Sequence, residues 1–278
     1  MAMTVQRLAA FTREGIGGNP AGVMLCAELP GTDQMQEIAA KIGYSETAFA
    51  MPVEGGMRVR YFAPDGEVPF CGHATIALGA ALGMERGEGD FPLLLNDADI
   101  SVTAFREGEE WGARLTSPPT SFQVLRQAVL HEALELFHLH EEDLDPDLPP
   151  VLAQAGARHL ILPLARHALL QGMSYDFAQG ATLMRAQGWV TINLIWRENV
   201  SRIHSRNAFA GHGVYEDPAT GAAAAALAGY LRDAHGQADP FEVSQGVVAG
   251  HPSRLLVTPQ AGKGAPVQVA GTVRLIES

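Results

Sequence analysis

Two stretches almost free of large or polar side chains constrain this fold more than any other feature. Ala74-Thr-Ile-Ala-Leu-Gly-Ala-Ala-Leu-Gly83 and Ala222-Ala-Ala-Ala-Ala-Leu-Ala-Gly-Tyr-Leu231 carry no charge along their length. A helix that is apolar all round is one buried on all sides. Side chains this small let surrounding strands approach closely, so each helix is expected at the centre of a sheet wrapped around it. Strand-like runs flank both. Val5 to Phe11, Ala21 to Cys26, Thr47 to Pro52 and Met57 to Phe62 precede the first helix, with a turn at Gly55-Gly56 and helical periodicity from Asp33 to Ile42. Trp189 to Trp196 and Val200 to Phe209 precede the second, and Phe241 to Val247, Arg254 to Thr258 and Val267 to Leu275 follow it.

The order of strands, turn and buried helix occurs twice, which suggests tandem duplication. Overlaying Ala74 on Ala219 makes six of nine positions identical, although alanine richness inflates that count. Ser117-Pro-Pro-Thr-Ser121 reads as a linker, followed by an amphipathic helix from Val124 to about His140. The expected division is therefore residues 1–118 and 119–265, with the last strand near 266–278 packing back on the first domain.

The formal charge of −12 repels polyphosphate, so nucleic acid is not expected as a partner. Cys26 and Cys71 form no close pair, which argues against a disulfide scaffold or a cysteine zinc site and fits a reducing cytoplasm. The chain shows neither a secretory h-region near its start nor an apolar run of about 18 residues, so no membrane span is expected. His131, His138 and His140 lie among Glu132, Glu135, Glu141 and Glu142, and this stretch reads as the solvated face of a helix, not a metal site. Gly17-Gly18 opens no phosphate-binding strand–helix turn.

Three clusters hold candidate chemistry, and each also has an ordinary structural reading. Glu46 in Ser45-Glu-Thr-Ala-Phe49 suits an exposed strand edge as well as an acid/base role. His73 in Phe70-Cys-Gly-His-Ala-Thr75 suits helix-end packing, whereas Gly72 beside it would let a ligand approach the backbone. Asp217 before Pro218 in Glu216-Asp-Pro-Ala-Thr-Gly221 suits an N-cap with proline at the first helical position.

Taken together with Gly18-Asn-Pro-Ala-Gly-Val23 and Ser244-Gln-Gly246…Gly250-His-Pro-Ser253, these segments resemble, in order, the phenazine-biosynthesis isomerase (PhzF-like) family. The resemblance covers nearly the whole chain. It implies an α+β, diaminopimelate-epimerase-like fold of two similar domains, each a mostly antiparallel sheet or barrel around a central helix. It further implies a homodimer, a small carboxylated substrate held between the domains, and no metal or organic cofactor. On that resemblance Glu46 shuttles a proton, with Asp217 and His73 as its catalytic partners. Asn19, Gly72, Thr220, Gly221 and Ala222 are the expected substrate-binding positions. The implied activity is a cofactor-independent isomerase or epimerase.

Two positions depart from the family pattern. Ala222 stands where phenazine enzymes carry serine, and His251 replaces the usual arginine. Both bear on the substrate, because loss of a matched hydrogen bond discriminates strongly. Two other readings stay open: a racemase or epimerase assisted by Cys71, and a catalytically silent small-molecule-binding homodimer. A two-cysteine racemase is excluded, since Asp217 stands near the second helix start.

Overall fold

A computed structural model gives the structure of residues 4–277. The chain forms two compact units: residues up to Thr116 joined by those from Ala270 onward, and Ser117–Val269.

The first unit contains β1 (Gln6–Thr12), β2 (Asn19–Leu25), α1 (Thr32–Ile42), β3 (Thr47–Val53), β4 (Gly56–Ala63), β5 (Gly66–Val68), α2 (Gly72–Arg86), β6 (Gly89–Leu94), β7 (Asp99–Glu107) and β8 (Glu110–Thr116). The second contains β9 (Thr120–Val124), α3 (Gln127–Leu136), β10 (Val151–Ala155), β11 (Arg158–Pro163), α4 (His167–Gln171), α5 (Phe177–Gln187), β12 (Thr191–Asn199), β13 (Arg202–Phe209), β14 (Val214–Asp217), α6 (Gly221–His235), β15 (Phe241–Gln245) and β16 (Ser253–Pro259). The last strand, β17 (Val267–Leu275), starts in the second unit and ends in the first.

Pairing shows the duplication directly. In the first unit β1–β2 is antiparallel, β2–β3 parallel, β3–β4 antiparallel, β4–β5 antiparallel, β4–β6 parallel and β6–β7 antiparallel. In the second unit β10–β11, β11–β12, β12–β13, β13–β14, β13–β15 and β15–β16 repeat that series of directions in order. The sheet of the first unit closes on itself, because β8 pairs with both β7 and β17 while β17 pairs with β1.

The two small-residue helices occupy the expected central places. In α2 every residue from His73 to Gly83 is buried, against β1, β2, β7 and β8. A Cβ added at Gly79 would lie 2.6 Å from Val102, and one at Gly83 2.7 Å from Trp111. Ala223 to Arg232 are buried in α6, which packs on β9, β10, β11 and β16. A Cβ at Gly229 would come within 2.4 Å of Thr120. Small side chains are therefore a packing requirement in both units, since interiors tolerate no such overlap.

Three sequence expectations need correction. The overlay of Ala74 on Ala219 is off by four residues, about one helical turn. The topology instead matches Gly72 with Gly221, the first residues of two 15-residue helices. The amphipathic helix is shorter than expected: α3 ends at Leu136, and His138 (φ 56°) turns the chain before His140. Asp217 is the last residue of β14 and not an N-cap, a place taken by Thr220. Among the described residues no helix is long and apolar enough to cross a membrane.

Candidate active site

In the first unit, the end of β5 and the start of α2 lie beside the segment that enters β3. Glu46 immediately precedes β3, whose residue Thr47 is fully buried and pairs with Gly22 and Phe62. His73 is the second residue of α2 and is 8% exposed. This packing places His73 Nε2 3.4 Å from Glu46 Oε2 and 3.2 Å from Ser45 Oγ. Cys71 Sγ lies 3.3 Å from the other ring nitrogen, Nδ1. The imidazole thus stands between a thiol and a carboxylate that lie 25 positions apart in the chain.

Glu46 Oε2 is a buried oxygen that accepts no hydrogen bond among the described residues, because its 3.4 Å approach to His73 lacks hydrogen-bond geometry. A buried carboxylate oxygen without a donor is costly. Such an atom is a candidate to receive a proton from a bound molecule. Around it the helix start is rigid. Thr75 donates to the Cys71 carbonyl at 2.7 Å, so the Tyr61 hydroxyl, 2.7 Å away, donates to Thr75 Oγ1. Burial pushes the Tyr61 phenol well above its ordinary range and keeps it neutral. No side chain caps α2, and a Cβ at Gly72 would meet open space. The amides of the first turn are therefore approachable from the side where Gly72 has no side chain.

Glu46, Cys71 and His73 each offer one donor atom, and these atoms lie within 4.8 Å of one another. Carboxylate, thiolate and imidazole are all zinc donors, so the trio could hold a soft divalent ion.

In the second unit, Asp217 occupies the end of β14, opposite Asn207 of β13. Its Oδ2 accepts the Thr220 hydroxyl at 2.6 Å. Gln245 donates through Nε2 to the Asp217 carbonyl at 2.6 Å and to Thr220 Oγ1 at 3.0 Å. Its Oε1 accepts the Thr220 N–H at 3.2 Å. The neighbouring Glu216 is tied to Arg206, whose Nε donates to it at 3.0 Å. Arg206 also donates to the carbonyls of Leu170, Gln171 and Met173, which ties β13 and β14 to the end of α4. Gly246 has φ 72°, and a Cβ there would lie 2.2 Å from the His251 carbonyl and 2.7 Å from that of Pro218. Glycine is thus required where the segment after β15 passes the Asp217-Pro218 turn.

The expected site residues fall into two groups. Glu46, His73 and Gly72 come together in the first unit, where Asn19 is buried at the start of β2. Asp217, Thr220, Gly221 and Ala222 come together at the start of α6 in the second, and no side chain caps that helix either. Gln245 was not among the expected site residues, although the Ser244-Gln-Gly246 segment that holds it is one of the motifs that carry the family resemblance.

A family model described as phenazine biosynthesis-like protein matches residues 8–277. The chain belongs to this family. An uncharacterised isomerase from Deinococcus radiodurans is 36% identical over 81% of this chain and 74% of its own length. The trans-2,3-dihydro-3-hydroxyanthranilate isomerase of Pseudomonas chlororaphis is 30% identical, covering 94% of this chain and 93% of that protein. The solved structure of a PhzF-family protein from Bacillus anthracis superposes with a TM-score of 0.87 at 24% identity, covering 99% of this chain and 97% of that one. The fold is thus the α+β, epimerase-like architecture of the family, and the chain is an enzyme of the isomerase type.

Proposed function

We propose that this isomerase moves a proton on a small carboxylated substrate by acid/base chemistry of its own side chains, with Glu46 as the proton carrier. The observation that carries this reading is the buried Glu46 Oε2, which has no hydrogen-bond donor and lies 3.4 Å from His73. A carboxylate can take a proton from carbon and return it elsewhere, provided it is held against the substrate and out of bulk water. His73 would stabilise negative charge developing on the substrate. The uncapped start of α2 beside Gly72 offers backbone N–H groups to a carboxylate or carbonyl oxygen. The family resemblance gives Asp217 as a supporting catalytic group, and we propose that its carboxylate acts as a second acid/base group.

The proposed substrate class leans on one relative, the trans-2,3-dihydro-3-hydroxyanthranilate isomerase, and the proposed difference from its substrate leans on Ala222. Ala222 replaces the serine of phenazine enzymes with a methyl group that cannot donate to a substrate oxygen. We therefore propose a relative of dihydro-hydroxyanthranilate, cyclic or amino-acid-like, that presents no group requiring that hydroxyl. A second reading rests on Cys71 Sγ, 3.3 Å from His73 Nδ1, which could serve as a thiol acid/base.

One experiment separates these readings. The protein is incubated in deuterated water with trans-2,3-dihydro-3-hydroxyanthranilate and a panel of small carboxylates, and deuterium in the recovered compounds is read by mass spectrometry. Glu46→Gln should lower incorporation by at least about 10²-fold, while Cys71→Ala retains it. Full incorporation by Glu46→Gln rejects the proposed carrier, and loss in Cys71→Ala alone supports the thiol.

A further inference from the structure

We propose that Gln245 and Thr220 form a clamp that holds the Asp217 carboxylate with Oδ2 as hydrogen-bond acceptor, so that Asp217 begins the reaction ionised. The proposal rests on the reading of Asp217 as an acid/base group, and it gives Thr220 a positioning role and not a substrate contact.

The direction of each hydrogen bond follows from partners that have only one choice. The Gln245 amide faces the Asp217 carbonyl on one side and the Thr220 N–H on the other, at 2.6 and 3.2 Å. A carbonyl only accepts and a backbone N–H only donates, so Nε2 must face the first and Oε1 the second. A flipped amide would set oxygen against oxygen and N–H against N–H. With Nε2 thus assigned, its 3.0 Å contact to Thr220 Oγ1 makes the hydroxyl an acceptor there. The hydroxyl proton is then aimed at its remaining neighbour, Asp217 Oδ2, at 2.6 Å. An O–H donor at that distance favours the charged carboxylate.

The clamp is itself rigid. Gln245 is 1% exposed and Thr220 9% exposed. Gln245 ends β15, which is held between β13 and β16, with Ser205 and Ser253 as its cross-strand partners. The side chains that adjoin Asp217 in the sheet and at the helix start are uncharged or paired with an opposite charge. Asn207 opposite it on β13 is uncharged, Glu216 and Arg206 neutralise one another at 3.0 Å, and Thr220, Gly221 and Ala222 of the helix start carry no charge. His251, on the segment after β15, is exposed.

The first test is a titration that needs no substrate. Side-chain carboxyl carbons are followed by NMR between pH 2 and 7 in the full chain, with Asp217→Asn identifying the Asp217 signal. Thr220→Val should raise the Asp217 midpoint by about one pH unit, and Thr220→Ser should restore it. Gln245→Met, which removes the Nε2 donor at similar length and adds no charge, should raise it as well. An unchanged midpoint in a folded Thr220→Val protein overturns the clamp. In the deuterium assay, Thr220→Val should move the acidic limb of the exchange profile to higher pH, in step with the titration. If Asp217→Asn keeps full exchange, the catalytic reading of Asp217 fails while the titration still judges the clamp. If Asp217→Asn is inactive and Thr220→Val leaves both midpoint and profile unmoved, the clamp alone is wrong.

Discussion

Replacing Gly229 by alanine gives the sharpest test of why the central helices are built from small residues. In an isolated helix the change stabilises by about 1 kcal/mol. Here the new Cβ would lie 2.4 Å from Thr120 Cβ and 2.5 Å from Thr120 Oγ1. Thr120 has no room to yield. Its hydroxyl donates to the Ala265 carbonyl at 3.0 Å and accepts from Arg232 Nη2 at 2.9 Å, while its N–H donates to Gly264 at 2.9 Å. Arg232 is 8% exposed, and its remaining donors already serve Ala265, Gln260 and Asp233. Overpacking of this kind costs about 1–3 kcal/mol, and a lost hydrogen bond to a buried charge about 1.5–3 more. Subtracting the helix gain leaves a net loss of about 1.5–5 kcal/mol. Urea unfolding followed by far-ultraviolet circular dichroism measures it as a lowered midpoint at constant slope. A Gly229→Ala protein within about 0.5 kcal/mol of the parent would refute the claim that contact with the strands, not helix propensity, selects these residues.

Gly72→Ala is the matched control and also a probe of the site. Its methyl would enter open space, so stability should hold or rise slightly, while KM for the exchanging carboxylate increases because the new group shields the helix start. Buried His159 gives a pH prediction of definite sign. Burial lowers its pKa from 6.5 to about 3, and its Nδ1 lies 2.8 Å from Thr191 Oγ1. The unfolded chain therefore binds a proton that the folded one refuses. Stability should fall as pH drops below about 6.5, by up to about 1.4 kcal/mol per unit, until about pH 3. His159→Gln should flatten that slope in urea unfolding series, and an unchanged slope would reject the assignment.

The central helices could be read from the sequence because burial on all sides leaves no other composition for them. Their register could not. Runs of alanine match themselves at several offsets, and only the pairing of β4 with β6 and of β13 with β15 sets Gly72 against Gly221. Val151–Pro163 went unread as a pair of strands because Gln154, Gly156, Arg158 and His159 interrupt its apolar pattern, and His159 is buried as a polar residue. The Asp-Pro pair suggested a helix cap, yet the chain needs three more residues after Asp217 before α6 begins. Glu46 and His73 were identified separately by motif, but their 3.4 Å approach depends on β3 and α2 folding together. Gln245 gave no signal of its own, since a glutamine reveals its role only through the backbone groups that it faces.

The path of β17 bears on how this chain folds as it is made. Leu275, Arg274, Val273 and Thr272 pair with Leu8, Ala9, Ala10 and Thr12, across almost the whole sequence. Until those residues leave the ribosome, β1 and β8 each present an open edge that needs temporary protection from pairing with other chains. The Ser117–Val269 portion requires nothing that emerges later, so it is free to mature ahead of the half that was synthesised first. Completion of the first unit is thereby deferred until β17 has been synthesised, and such long-range closure is a slow step.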